Sequence, residues 1–90
     1  MAYARYSNGC DWYIFWVASD ASRREDERVA VWHAEHRVNG PEFSYAAVKD
    51  MIRRSDFGVV PGRNTSDDAL LRVALTAFVE EVEREWADRG

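Results

Sequence analysis

The chain has 90 residues, of which 47% are hydrophobic, with four each of Trp, Tyr and Phe and a formal charge of −4. That is enough for a single domain spanning 1–90 and too apolar for a disordered chain, and no run approaches the roughly 20 apolar residues of a membrane span. Cys10 has no second cysteine to pair with, and Met1-Ala2-Tyr3-Ala4-Arg5 lacks the charged-then-apolar layout of a secretion signal, so the expected setting is the reducing cytoplasm.

The first predicted elements are two strands, 2–6 and 11–17, around Ser7-Asn8-Gly9-Cys10. Asn-Gly is the preferred pair for a two-residue hairpin turn because both residues tolerate positive φ. That turn sets Tyr6 against Asp11, Arg5 against Trp12, Ala4 against Tyr13 and Tyr3 against Ile14. One face then carries Tyr3, Arg5, Trp12, Ile14 and Trp16; the other carries Ala2, Ala4, Tyr6, Tyr13, Phe15 and Val17. The alanines leave room for a helix on the second face, which is therefore the expected core. The first face is then an aromatic surface, covered either by loops or by another protein.

Residues 18–27 are polar and read as a loop. Arg28 to His36 has β-branched residues at 29 and 31, which favours a third strand; a helix over 24–37 is the alternative, since the acids before it suit a helix N-terminus. Asn39-Gly40-Pro41 breaks the chain. Ser44 then caps a helix over 45–54, with Phe43 and Val48 at the spacing of a hydrophobic staple. Its inner stripe is Tyr45, Val48, Met51 and Ile52, and Arg53 and Arg54 stand in its last turn, where the dipole favours cations. Gly58 is expected to end the local turn, and 59–62 is a connector. Thr65 or Ser66 caps a final helix over about 66–88, whose stripe is Leu71, Leu75, Phe78, Val82 and Trp86. The expected fold is α+β: a three-stranded antiparallel sheet, a β-hairpin plus a third strand, with two helices packed on one face (βββαα).

The charge is not spread evenly. Residues 1–65 hold nine acids and nine bases, whereas 66–90 hold seven acids and three bases, so the whole excess lies on the last helix. A nucleic-acid binder shows the opposite sign, so direct nucleic-acid binding is not expected.

Chemistry-bearing patterns are sparse. His33, Glu35 and His36 are the nearest thing to a metal set, but on a strand 33 and 36 point to opposite faces, and no third His or Cys pair completes a zinc site. Glu25, Asp26 and Glu27 are flanked by Arg23, Arg24 and Arg28, the pattern of a solvated loop. The glycines form no phosphate loop, and nothing places a serine on a nucleophile elbow. The expectation is a non-enzymatic chain with no cofactor and no metal.

The aromatic strand Trp12-Tyr13-Ile14-Phe15-Trp16 and the acidic helix with Glu80, Glu81, Glu83, Glu85 and Asp88 give the chain its character. In this it resembles the small phage and mobile-element anti-defence proteins, including the anti-CRISPR proteins. The resemblance implies a stoichiometric inhibitor that occupies a basic, nucleic-acid-binding surface of a CRISPR effector complex. Under it Glu80, Glu81, Glu83, Glu85 and Asp88 meet basic residues of the partner, as a mimic of nucleic acid would, and Tyr3, Trp12 and Trp16 supply apolar anchors. The alternative is a small structural or regulatory homodimer that pairs its sheet faces or edge strands.

Overall fold

The computed structural model describes residues 4–6, 12–17, 23–35, 41–62 and 65–88. Its strands are β1 (Ala4–Tyr6), β2 (Trp12–Trp16), β3 (Arg28–His33) and β4 (Glu42–Ser44), and its helices are α1 (Tyr45–Arg54) and α2 (Asp68–Asp88). The sheet is an antiparallel meander in the order β1-β2-β3-β4. The expected three-stranded sheet with two helices on one face is present, and β4 extends it by one short edge strand.

Between the alternatives at 24–37 the strand prevails: only Arg24–Asp26 forms a 3₁₀ turn, and β3 pairs with β2 from Val29 to His33. His36 lies outside the described residues. The turn chemistry at Asn8-Gly9 also lies outside them, but the pairing it sets does not. The register is Tyr6↔Tyr13, Arg5↔Ile14 and Ala4↔Phe15, two residues away from that of a two-residue loop. Trp12 opens β2 by pairing with His33 of β3, and the pairing with β1 begins one residue later. A slip of two keeps every residue on its face, whereas a slip of one inverts them.

The choice of core face is corrected. The helices pack on the face of Trp12 and Ile14, both 1% exposed, while Tyr13 on the other face is 37% exposed. The reason lies in β3. Its alternation puts Val29 and Val31 beside Trp16 and Ile14, and puts Arg28 and Ala30 on the opposite side. The two valines pair with the Ile and Trp of β2 into one continuous apolar surface, and that surface takes the helices.

Ser44 joins β4 directly to α1. Its Oγ accepts from the Ala47 N–H at 3.1 Å, and Tyr45 N–H donates to the Glu27 carbonyl at 2.8 Å, so cap and sheet share one junction. Tyr45, Val48 and Met51 are buried, and Ile52 half-buried, as the stripe predicts. The helix ends at Arg54, as the span 45–54 predicts. Ser55 takes the left-handed conformation at φ 56°, the Ser55 N–H bonds Ile52 O, and the Asp56 N–H bonds Met51 O. This is the Schellman ending, with serine where glycine is usual. The following connector is part of the core, since Phe57 and Val60 are buried. In α2, Leu71, Ala74, Leu75, Phe78 and Val82 are buried, and Trp86 packs half-buried against the core. A 3₁₀ turn, Thr65–Asp67, precedes it.

Candidate protein-binding surfaces

The C-terminal turns of α2 reach the end of β2 and the start of α1, where four aromatic rings meet. Trp16 lies 5.6 Å from Tyr45, 5.6 Å from Phe78 and 5.8 Å from Trp86, and Tyr45 stands edge-on to Trp86 at 5.0 Å. The Arg24 guanidinium covers Trp86 at 4.8 Å, and Lys49 lies 5.8 Å from the Tyr45 ring. Separations of 4.5–7 Å are those of favourable ring pairs.

Glu83 closes this cluster from outside. Its Oε1 accepts from Tyr45 OH at 3.3 Å and lies 2.9 Å from Lys49 Nζ. Burial, followed by the charge and hydrogen bond of Glu83, raises the Tyr45 phenol above its ordinary pKa of 10.0. A raised folded-state value gives stability that is complete below about pH 10 and lost as the pH climbs above it. The urea midpoint of the protein is therefore expected to fall between pH 9 and pH 11.5. Tyr45→Phe should flatten that fall while costing no more than about 1 kcal/mol at pH 7, since Glu83 is half-exposed and keeps Lys49.

A groove of about 630 Å³ runs beside the cluster, lined by Arg24, Tyr45, Lys49, Arg53, Glu83 and Trp86 among others. Its charges answer one another: Lys49 pairs with Glu83, and Arg53 and Arg54 both pair with Asp50. His33 lies edge-on to Trp12 at 5.0 Å, and its Nδ1 accepts from the Glu35 N–H at 3.3 Å. Among the described residues no three His, Cys, Asp or Glu side chains converge as a metal set, and no helix is long and apolar enough to cross a membrane.

The residues singled out in the sequence are not brought together. Trp12 is in the core and presents no surface to a partner; Trp16 is half-buried in the ring cluster; Tyr3 lies outside the described residues. Glu80, Glu81, Glu83, Glu85 and Asp88 do not share a face. At roughly 100° per residue, Glu80 and Glu83 fall on one side and Glu81, Glu85 and Asp88 on another, roughly 140° away. Glu83 is engaged by Lys49 and Tyr45, Glu80 and Asp88 are exposed, and Glu81 and Glu85 are half-buried.

The side of the sheet away from the helices carries a different set. Phe15 and Trp32 meet edge-to-face at 5.3 Å, Tyr13 and Trp32 lie 6.0 Å apart, and Ala30 forms the floor beside them. At one end Arg28 donates from Nη2 to the Glu42 carbonyl at 3.0 Å, and its Nε lies 3.8 Å from the Glu42 carboxylate. Both helices pack on the other face, and no described helix lies over this one. The Trp32 indole N–H is buried with no hydrogen-bond acceptor among the described residues. The alternation Arg28-Val29-Ala30-Val31-Trp32 is the signal that would have placed Trp32 opposite the valines. Comparison with family models, curated proteins and solved structures finds no match for this chain.

Proposed function

We propose that this chain is a non-enzymatic protein-binding inhibitor that docks through the aromatic face of its sheet away from the helices, with a CRISPR effector complex as its class of target. The observation that carries this reading is the set Tyr13, Phe15 and Trp32 on a sheet face that neither helix covers, together with an indole donor that has no acceptor among the described residues. Trp and Tyr in partly desolvated patches dominate the energetics of protein interfaces, and an unmet buried donor is satisfied when a partner offers a carbonyl or carboxylate. Arg28 and Glu42 give the patch a polar rim. The surface it fits is apolar, with an acceptor at its centre.

A second reading keeps the acidic helix as the contact, on the strength of the charge excess on residues 66–90. Glu81, Glu85 and Asp88 then face a basic, nucleic-acid-binding surface of the effector. The two surfaces lie on different sides of the molecule, so one experiment separates them. The full chain is mixed with purified CRISPR effector complexes, and co-migration and target-DNA binding are followed at two salt concentrations. Tyr13→Arg and Trp32→Arg are each expected to weaken binding at least tenfold, with a folded circular dichroism spectrum. Loss confined to Glu81→Lys, Glu85→Lys and Asp88→Lys, with steep salt dependence, moves the contact to α2. Effectors that neither bind the chain nor lose DNA binding would end the inhibitor reading.

A further inference from the structure

The outward face of α2 has a self-complementary pattern, and it is not the surface invoked above. Opposite the buried stripe of Leu71, Leu75, Phe78 and Val82 lie Ala69, Val73, Thr76, Ala77 and Glu80. Val73 is 62% exposed, and Leu70 at its flank is 44% exposed, so this acidic helix shows apolar side chains to solvent. A shallow depression of about 440 Å³ is lined by Arg72, Val73, Thr76, Ala77 and Glu80. The Thr76 hydroxyl donates to the Arg72 carbonyl at 2.7 Å, which commits its polar atom to its own helix.

Charge selects the occupant. The row at every fourth residue reads Asp68, Arg72, Thr76, Glu80, Arg84. Reversed about Thr76, it sets Arg72 against Glu80 and Asp68 against Arg84. A two-fold axis through Thr76 therefore brings Arg72 of one copy to Glu80 of the other, twice, with Thr76 against Thr76 at the centre. Rows at this spacing are the ridges that interlock when two helices cross at about −50°, and the small residues Ala69, Ala77 and Thr76 let the axes approach. The contact is isologous and closes on itself. We infer that two copies of this chain pair antiparallel through the outward face of α2, centred on Thr76 and registered by the Arg72–Glu80 contacts.

Sedimentation equilibrium of the full chain from about 1 μM to about 1 mM tests it. A reversible monomer–dimer equilibrium is expected. Arg72→Glu or Glu80→Arg alone sets like charges together at both symmetric contacts and should weaken dimerisation at least tenfold. The double exchange restores opposite charges and should recover the original affinity within about threefold. Val73→Asp should abolish the dimer, with the helical circular dichroism signal retained. A monomer throughout the range, or a dimer indifferent to the single reversals, overturns the inference. Tyr13→Arg and Trp32→Arg lie on the sheet and leave this equilibrium unchanged, so either reading fails without the other.

Discussion

Phe78→Ala should cost the fold about 3–5 kcal/mol and lower the midpoint of thermal unfolding by at least about 12 °C. Phe78 is fully buried at the middle of α2, and its ring meets Trp16 of β2 at 5.6 Å. Removing the ring forfeits its transfer free energy and leaves a cavity between helix and sheet. Neither Trp16, pinned also by Tyr45 and Trp86, nor the helix backbone is free to collapse into it. A domain of this size has about 5–15 kcal/mol of stability in total, so the loss is a large share of it. Urea unfolding followed by tryptophan fluorescence reads the effect directly. A loss below about 1 kcal/mol would mean that α2 does not seat on β2 through this ring.

Ile14→Asp should leave the chain unfolded at 25 °C, whereas Tyr13→Asp, one residue away, should change stability by less than about 1 kcal/mol. Ile14 is 1% exposed between Val31 and the helix layer, where a carboxylate finds no partner; among the described residues no charged side chain is buried. Tyr13 projects from the other face and is already in contact with water. Far-ultraviolet circular dichroism and urea midpoints of the two variants decide which side of β2 is the core. Equal destabilisation would show that both faces are sealed, and the aromatic-face reading of function would go with it.

Much of the architecture was legible one segment at a time. Ser44 as the cap of α1, the span 45–54, the stripes of both helices and the third strand all rest on interactions between residues a few positions apart, and local spacing carries them. Three features were not legible this way. The sheet face that becomes core depends on the valines of β3, sixteen or so residues from β2, and not on the space left by Ala2 and Ala4. β4 has only three residues and owes its existence to pairing with Arg28–Ala30. Phe57 and Val60 enter the core because the Ser55 turn folds the connector back on the helices, an event that the residue types at 56–62 do not announce.

The candidate site divides along the same line. Net charge and its concentration on the last helix are sums over residues, and no folding event alters them. Whether those charges act outward depends on distances between remote elements. Lys49 and Tyr45, some thirty-five residues upstream, engage Glu83, and helical rotation separates it from Glu81, Glu85 and Asp88. The aromatic strand was conspicuous as a string, but a strand with two apolar faces does not say which one the helices take. Packing settles that by matching the larger continuous apolar surface to the helices, and it leaves Tyr13, Phe15 and Trp32 on the side away from them.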